Sequence, residues 1–437
     1  MKNLVEIKNS RTKYYIVNLF GKKIVANFFY LSILQVANYA LPFVIIPHLI
    51  QVLGFEKIGI IYMAQALMTY LTMLTDYGFN LTATKFISLN KSSKIKVDYI
   101  FNAVISTKLF LLGLAFVILL ILIAVVPLFH KEALLFFLSY ALVIGSTLFP
   151  VWFFQGIEEM KYISIINFTS RIIFTVSIFF FINQKADYVR VNLLQGAGSL
   201  ISTFLAFYII ARKYTVTSRF RVRYVKTQLN EGWHIFVSNL AISLYMYSNI
   251  FLLGIFADKT TLGFFGVADK CIQGMRQLLV VFYQVIYPKA CAVAKESHLM
   301  FILFFKKVFY KFLLFVVFCS VCIFLLAPFI TFLLTKSYQP QVVNLLRIMC
   351  FVPVVVALNI PCNQSIIIYH IKKSYTVVIV IGTIINILSN LILARLFGAY
   401  GTATAIYITE SFVTISLYFI LQYTMKGRYS LSKLFSL

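Results

Sequence analysis

Long apolar stretches alternate with short polar segments along the whole chain. Each stretch is long enough to cross the roughly 30 Å hydrocarbon core of a bilayer, which takes about 20 helical residues. The pattern predicts an all-α polytopic membrane protein with about twelve transmembrane helices. The predicted spans are about 24–50, 58–79, 99–126, 133–156, 162–183, 190–211, 232–256, 261–288, 309–335, 341–369, 374–396 and 399–425.

The positions of Lys and Arg predict the orientation of these spans. With the N-terminus in the cytoplasm, the cytoplasmic segments carry 27 of the 39 Lys and Arg residues and the outer loops carry seven. Short loops rich in Lys and Arg remain on the cytoplasmic side of a membrane. We therefore predict that both termini are cytoplasmic, an N-in/C-in topology.

The chain divides into two halves of six predicted spans each. Two similar charged turns, Leu53–Gly59 and Ala257–Gly263, precede the second span of each half. This similarity supports a parallel duplication. The predicted divisions are a basic cytoplasmic tail (1–23), an N-terminal lobe (24–211), a basic cytoplasmic linker (212–231), a C-terminal lobe (232–425) and a cytoplasmic tail (426–437).

Composition agrees with a membrane protein. The 437 residues are 61% hydrophobic and 12% charged, which is far from the composition of a soluble domain. A net charge of +26 would suggest nucleic acid in a soluble protein. Here the basic residues lie in short loops, where we expect contact with anionic lipids and no nucleic-acid partner. Cys319 and Cys322 lie in a predicted span without a third ligand, so we expect no metal and no cofactor.

Several charged residues fall within the predicted spans, where charge is costly and usually faces a cavity or a partner. They are Asp76, Lys108, Arg171, Asp269, Lys270, Arg276, Arg347 and Glu410. Arg171, Arg276 and Glu410 lie nearest the middle of the membrane. Lys108, Lys270 and Arg347 lie close enough to span ends to reach the interface. Basic residues outnumber acidic ones in this set, which favours an anionic substrate.

The eighth span carries the clearest polar stripe. Asp269, Gln273 and Arg276 are spaced i, i+4 and i+7, which places them on one face of a helix. The stripe either lines a cavity or contains an Asp269–Arg276 pair that only packs against neighbouring helices. Because a guanidinium group binds phosphate through two parallel hydrogen bonds, we predict Arg276 and Arg171 as substrate-binding residues. Asp269 is expected to orient Arg276 in the empty site.

Weaker polar stripes occur in three other spans. They are Ser32, Gln35, Tyr39 and Pro42 in the first span, Asn359 and Asn363 in the tenth, and Thr383, Asn386 and Asn390 in the eleventh. Each stripe either lines a cavity or forms hydrogen bonds between helices.

Two pairs of residues are candidates for gating. Pro42 and Pro47 remove backbone hydrogen bonds from the first span, which permits a kink or a gating hinge. Glu158 and Glu159 lie at a predicted cytoplasmic turn before Lys161. They either close a cytoplasmic gate by pairing with Lys or Arg, or they are simply solvated.

Several segments resemble the bacterial polysaccharide flippases, the O-antigen and capsule translocases of the multidrug/oligosaccharidyl-lipid/polysaccharide exporter superfamily. The resemblance covers nearly the whole chain. The matching segments are Tyr30–Tyr39 (YLSILQVANY), Leu74–Asn80 (LTDYGFN), Trp152–Tyr162 (WFFQGIEEMKY), Glu231–Phe236 (EGWHIF) and Gly398–Ala403 (GAYGTA).

The resemblance implies two six-helix lobes around a central cavity. It further implies a flippase that moves an undecaprenyl-pyrophosphate-linked oligosaccharide from the inner to the outer leaflet, and we expect alternating access. The polysaccharide polymerase machinery is a candidate partner. We expect a coupling ion, H⁺ or Na⁺, to drive the cycle, carried by Asp76 or Glu410.

Together these observations define the candidate site residues. The predicted substrate-binding set is Arg276, Arg171, Lys270, Arg347, Lys108, Gln273, Asn359, Asn363 and Asn386. The predicted coupling or gating set is Asp76, Asp269, Glu410, Glu158, Glu159, Pro42 and Pro47.

Two alternative functions remain open from the sequence. A multidrug exporter would use the same fold, although such exporters often carry cations and use acidic sites. A membrane-embedded glycosyltransferase or polysaccharide polymerase would act on the same lipid-linked sugars, but it needs a sizeable outer loop with catalytic residues. The predicted outer loops are short and no G-x-x-x-x-G-K-[ST] nucleotide-binding motif occurs. We therefore expect a transporter rather than an enzyme.

Overall fold

The computed structural model describes residues 22–214, 248–296, 298–369 and 372–424, together with scattered positions from 225 to 244. Side chains are described from Ala40 onward, apart from a few positions near 285–299 and 372–373. The described residues therefore exclude the predicted N-terminal tail up to residue 21, the C-terminal tail, most of the predicted linker and the side chains of Ser32, Gln35 and Tyr39.

The described residues are nearly all helical. In the first half, up to residue 211, the helices are α1 (Lys22–Asp76), α2 (Phe79–Asn90), α3 (Lys94–Val125), α4 (Pro127–Lys131), α5 (Ala133–Leu148), α6 (Val151–Gly156), α7 (Met160–Phe181) and α8 (Tyr188–Lys213), with a 3₁₀ turn at Lys185–Asp187. In the second half, from residue 232, they are α9 (Lys259–Glu296), α10 (His298–Thr335), α11 (Pro340–Met349), α12 (Val352–Leu358), α13 (Ile360–Ile368) and α14 (Lys372–Thr424). Residues 248–256 are also helical.

Eight stretches of the described residues are long and apolar enough to cross a membrane. They are Ala40–Asn90, Lys94–Val125, Ala133–Gly156, Met160–Phe181, Lys185–Lys213, Met300–Thr335, Pro340–Ile368 and Ser374–Thr424. This confirms the predicted all-α membrane fold at the level of a polytopic helical protein.

Two of the longest helices are broken at a single glycine. In α1 the backbone leaves the helical region at Gly54 (φ 76°, ψ 167°), and in α14 it does so at Gly398 (φ 55°, ψ −132°). Positive φ angles are readily available only to glycine. The break at Gly54 falls in the charged turn Leu53–Gly59 that the sequence placed between the first two spans, and the helical backbone continues through Pro42 and Pro47. Neighbouring helices can satisfy the carbonyl groups that a proline frees within a membrane span.

Other prolines do interrupt helices. Pro150 lies between α5 and α6, while Pro353 and Pro361 lie in the first turns of α12 and α13. A proline is tolerated in a first turn because the N–H it lacks has no partner within the helix. The predicted tenth span is consequently built from three short helices.

The buried apolar side chains of the described residues form three clusters, and these clusters show how the halves meet. One cluster contains residues of both halves, including Leu53, Phe136, Leu262 and Phe265. A second lies in the second half, around residues such as Phe305. The third is built from the first half together with Phe236. The halves therefore share one core at one end of the bundle, here called the joined end, and have largely separate cores away from it.

Close packing of α1 against α9 strengthens the joined end. A side chain at Gly59 would collide with the carbonyl oxygen of Lys259, and one at Gly263 would collide with the carbonyl oxygen of Phe55. Only glycine allows two backbones to approach this closely. The two similar turns seen in the sequence thus lie against each other across the halves.

Candidate functional site

A cavity of about 360 Å³ lies between the two halves. Its polar wall includes residues of both halves, and a few apolar side chains complete it. The polar lining residues are Tyr62, Gln65, Thr69, Thr72, Ser146, Arg171, Gln195, Ser199, Asn249, Asp269, Lys270 and Gln273. Charged groups that face a cavity within a membrane protein are usually functional.

Helix α9 provides the charged wall from the second half. The amide of Gln273 donates a 2.6 Å hydrogen bond to the carboxylate of Asp269 one turn earlier. The ammonium group of Lys270 lies 5.5 Å from the centre of the Tyr62 ring, which belongs to α1. Lys270 and Gln273 of the predicted substrate-binding set therefore line the cavity, together with Asp269 of the predicted coupling or gating set.

The first half contributes a cation and an amide network. Arg171 of α7 lines the cavity, as the sequence predicted. The amide nitrogen of Gln65 donates to Asn192 at 3.0 Å and to Gln195 at 3.2 Å, and Asn192 donates to Ser139 at 2.8 Å. These bonds join α1, α8 and α5, so the amide groups of this wall are held in place.

The sequence reasoning missed the uncharged part of this wall. Gln65, Thr69 and Thr72 are spaced i, i+4 and i+7 in the second predicted span, and Gln195 and Ser199 are spaced i, i+4 in the sixth. The periodicity that identified the stripe on α9 would therefore have found them.

The partner of Arg276 differs from the prediction. Its guanidinium group donates a 3.1 Å hydrogen bond to the carboxylate of Glu410 in α14, whereas Asp269 accepts from Gln273. Glu410 is buried, and Arg276 is outside the lining of the cavity. The hydrogen-bond partner of Arg276 is therefore Glu410 rather than Asp269, because α14 brings a second carboxylate against the same face of α9.

Lys108 and Asp76 form another ion pair, within the first half. The ammonium group of Lys108 lies 3.3 Å from the Asp76 carboxylate and 3.0 Å from the carbonyl oxygen of Thr147. Lys108 is almost fully buried, so the expectation that it reaches the membrane interface is wrong. Its hydrogen bonds make this interior position possible, since an unpaired buried charge is very costly.

The remaining candidates in the second half lie outside the cavity lining. Arg347 lies against the ring of Phe324, 5.4 Å from its centre. Asn359 and Asn363 belong to the broken segment α12–α13, and the described cavity lining does not include them.

Asn386 belongs to a network of neutral side chains. It accepts a hydrogen bond from Ser248 at 2.7 Å and donates to Asn249 and Thr409 at 3.1 and 3.3 Å. Asn390 donates to Asn249 at 2.9 Å. Of the two readings given for this stripe, the structure favours hydrogen bonding between helices, with Asn249 linking the network to the cavity.

Glu158 and Glu159 pair locally. Glu158 lies 3.0 Å from Lys91, and Glu159 lies 3.1 Å from Lys161. Lys91 and Lys161 both belong to the first half, so these two pairs do not link the halves. A role as a gate closed against the second half gains no support from them.

An ion pair across the halves was not predicted and lies at the joined end. The ammonium group of Lys259 lies 2.8 Å from the carboxylate of Glu132, and the hydroxyl of Tyr188 donates to the same carboxylate at 2.6 Å. Lys57 lies 4.1 Å from the centre of the Tyr188 ring. Burial would raise the pKa of Glu132, but the bonds from Lys259 and Tyr188 hold that pKa below its ordinary value.

Comparisons with known proteins relate the chain to polysaccharide biosynthesis. The family described as "Polysaccharide biosynthesis protein" matches residues 24–291. A protein of Escherichia coli (strain K12) named "Putative O-antigen transporter" is 29% identical over 390 residues, covering 89% of this chain and 94% of that one. A protein of Shigella dysenteriae with the same name is 26% identical over 395 residues, covering 89% and 98%.

Two solved structures share the fold. An inward-facing multidrug resistance MATE family transporter of the MOP superfamily superposes with a TM-score of 0.69 at 14% identity, covering 92% of this chain and 98% of that one. The lipid II flippase MurJ in an inward closed conformation gives a TM-score of 0.61 at 13% identity, covering 87% and 88%. At such identities the likeness establishes the fold and nothing about the substrate.

Proposed function

Because this chain belongs to the polysaccharide biosynthesis protein family and is a multi-pass protein of the bacterial inner membrane, we propose that it is a flippase for undecaprenyl-pyrophosphate-linked oligosaccharide repeat units. It would move them from the inner to the outer leaflet. Its named relatives are transporters, which agrees with transport rather than catalysis. The O-antigen named for these relatives is a surface polysaccharide of the class such a flippase would serve.

The charge of the cavity is the observation that carries the proposal. Arg171 and Lys270 line it from opposite halves, against the single carboxylate of Asp269 among the described lining residues. This balance suits a diphosphate, to which Arg and Lys bind through charge-assisted hydrogen bonds. The amides and hydroxyls around them, such as Gln65 and Gln195, suit the hydroxyl groups of a sugar.

The proposed topology is twelve spans with both termini in the cytoplasm. Gly54 and Gly398 each divide one of the eight apolar stretches, α9 adds a further long helix, and residues 248–256 end the span before it. These features and the bias of Lys and Arg support the count. Reporter fusions after Phe256 should be extracytoplasmic and those after Tyr224 cytoplasmic. The reverse at either site would exclude this topology.

The proposed mechanism is alternating access. In this topology the joined end, with Glu132 and Lys259, faces the outside, and the halves have largely separate cores towards the cytoplasm. The described state would then receive substrate from the inner leaflet. Opening the joined end and closing the cytoplasmic end would expose the same cavity to the outer leaflet. Anionic lipids would surround the basic cytoplasmic loops. The polysaccharide polymerase machinery would take up the product.

We further propose that an ion, H⁺ or Na⁺, drives the cycle. The Lys108–Asp76 and Arg276–Glu410 pairs place one buried or half-buried carboxylate in each half. A carboxylate that exchanges its Lys or Arg partner for a proton or cation changes the charge of its half, which can bias a two-state equilibrium.

The test is the leaflet in which the lipid-linked oligosaccharide accumulates. Cells that lack this protein should hold the completed repeat unit in the inner leaflet, and the wild-type gene should restore its appearance in the outer leaflet. Lys270→Ala at matched membrane levels should restore it at least tenfold less well. Normal surface polysaccharide after deletion, with no second translocase present, would contradict the proposal. Greater drug sensitivity with unchanged polysaccharide would instead indicate a multidrug exporter.

A further inference from the structure

Four residues at the joined end surround one carboxylate, and together they are here called the outer cluster: Lys57, Glu132, Tyr188 and Lys259. One oxygen of Glu132 lies 2.8 Å from the ammonium group of Lys259, and the other accepts a 2.6 Å hydrogen bond from the Tyr188 hydroxyl. The ammonium group of Lys57 lies 4.1 Å from the centre of the Tyr188 ring, and its charge also acts on Glu132. The outer cluster is therefore a built site for an anion, and a carboxylate of the chain itself occupies it.

The outer cluster lies on the same four helices that line the charged cavity. Each of these helices supplies one residue to the cluster and at least one residue to the cavity lining. The pairs, cluster residue first, are Lys57 and Gln65 on α1, Glu132 and Ser146 at the start and in the last turn of α5, Tyr188 and Gln195 on α8, and Lys259 and Lys270 on α9. The members of a pair are 7 to 14 positions apart. At about 1.5 Å per residue, the cluster lies about 10–21 Å from the cavity along shared walls.

The outer cluster repeats the charge balance of the cavity. Lys57 of the first half and Lys259 of the second half face the single carboxylate of Glu132. In the cavity, one cation from each half likewise stands against one carboxylate among the described lining residues. Because ammonium and hydroxyl groups bind phosphate oxygens as they bind carboxylate oxygens, a group that binds in the cavity also suits the outer cluster.

We propose that the outer cluster is a second anion site, which binds the diphosphate of the substrate on its way out, in competition with Glu132. This proposal rests on the proposed function and on the topology that places the joined end outside. When the halves separate, Lys259 moves away from Glu132, and the diphosphate takes the place of the carboxylate between Lys259 and Lys57. An anion leaving the cavity thus meets a second pair of cations on the walls that enclosed it.

Glu132 keeps this exit site weak. It belongs to the first half, as Tyr188 and Lys57 do, so it stays beside the site after the halves separate. Its charge then repels the diphosphate, because like charges at close range disfavour each other. A site that bound the diphosphate tightly would retain the product. The same carboxylate therefore closes the joined end before transport and favours release after it.

The first experiment measures binding of radiolabelled inorganic pyrophosphate to the purified full-length protein by equilibrium dialysis. Glu132→Gln should bind one equivalent more than the wild type, because the amide keeps the size of the side chain but does not neutralise the two lysines. Adding Lys259→Gln should weaken this extra equivalent about tenfold, the loss expected for one charge-assisted hydrogen bond. Glu56→Gln is the matched control, since it makes the same change of charge beside Lys57 at an exposed position. It should bind as the wild type does.

Lys57→Gln tests the site in protein whose joined end keeps its bonds, because Lys259 and Tyr188 still bind Glu132. It therefore remains informative if Glu132→Gln protein does not fold. In proteoliposomes, Lys57→Gln should slow transport of lipid-linked oligosaccharide about fivefold, as expected for the loss of one partly exposed charge contact. Binding of pyrophosphate in the charged cavity should be unchanged, because Lys57 is two turns away from Gln65 along α1.

The outcomes separate the exit site from the proposed function. No extra equivalent in well-folded Glu132→Gln protein, or full transport by Lys57→Gln protein, would overturn the exit site and leave the flippase proposal standing. Sulfate that displaces the extra equivalent as well as unlabelled pyrophosphate does would overturn the assignment to a diphosphate. An extra equivalent in Glu132→Gln protein, with no transport of lipid-linked oligosaccharide by the wild type, would support the anion site and contradict the proposed function.

Discussion

Glu132 and Lys259 are 127 positions apart in the chain, yet their side chains meet at 2.8 Å across the boundary between the halves. The Glu132 carboxylate is 7% exposed and the Lys259 side chain 33% exposed. Tyr188 binds the other carboxylate oxygen, so both oxygens of Glu132 have a donor. This pair and the contact between Gly59 and Gly263 hold the joined end closed in the described state.

Glu132→Gln should favour opening of the joined end. The change removes the charge attraction to Lys259 but keeps the size of the side chain, and it should cost the closed state about 1 kcal/mol, or about fivefold in the closed-to-open ratio. Distances between spin labels on the two halves would measure the ratio. Lys91→Gln is the control, because the Lys91–Glu158 pair lies within one half and is about half exposed. A similar shift in both variants would argue against a special role for Glu132.

The same carboxylate predicts a pH dependence. The bonds from Lys259 and Tyr188 lower the pKa of Glu132 in the closed state from its ordinary value of 4.5. The stabilisation is therefore complete above pH 4.5 and is lost as the pH falls through the lowered pKa. We expect a constant closed fraction at neutral pH and a decline only in acid. Glu132→Gln should remove the decline, and an unchanged acid response in that variant would assign it to other groups.

Gly59→Ala and Gly263→Ala should each destabilise the closed joined end by about 1–3 kcal/mol, the usual cost of overpacking. In both cases the new methyl group meets backbone atoms, which cannot rotate away. Inter-half distances and transport rates would report the change. Gly113→Ala, at a position with open space, serves as the control. Unaltered distances in the two variants would show that α1 and α9 separate more easily than their packing implies.

Arg276→Ala should lower the free energy of unfolding by about 3 kcal/mol, because it leaves the buried carboxylate of Glu410 without its partner. The sequence alone placed Arg276 in the substrate-binding site, where its removal would impair transport rather than stability, so the two readings differ in a measurable way. Thermal unfolding of the purified protein in detergent would give the size of the effect. Adding Glu410→Gln should restore part of the stability. If the Arg276→Ala variant were as stable as the wild type, Arg276 would again be a candidate substrate-binding residue.

The sequence predicted the helical membrane fold and the charged side of the cavity, but not the partners of the charges. Periodicity placed Asp269 and Arg276 on one face of α9. In the structure Asp269 lines the cavity, whereas Arg276 binds Glu410 of α14. Glu410 is 134 positions away from Arg276 in the chain, whereas helical periodicity relates only residues a few positions apart. Gln65 belongs to an uncharged stripe with the same helical spacing. That spacing predicts a polar face of the helix, but it does not tell a cavity wall from hydrogen bonding between packed helices.

The break in α1 was readable from the sequence. The chain turns at Gly54, inside the charged turn Leu53–Gly59 that separates the first two predicted spans. A glycine permits a backbone conformation that other residues avoid, which makes a sharp change of direction possible. Pro42 and Pro47 lie within the continuous helix before it, because a proline removes one hydrogen bond but leaves φ within the helical range.

Gly54 and Gly398 also determine how force passes along the chain. At each of them two long helical arms meet at a single residue, with no slack loop between them. A slack loop would absorb the displacement of one arm, whereas a one-residue joint keeps the adjoining ends of the two arms together. A displacement of one arm near the joint therefore carries the end of the other arm with it, while the freedom of glycine lets the angle between the arms change.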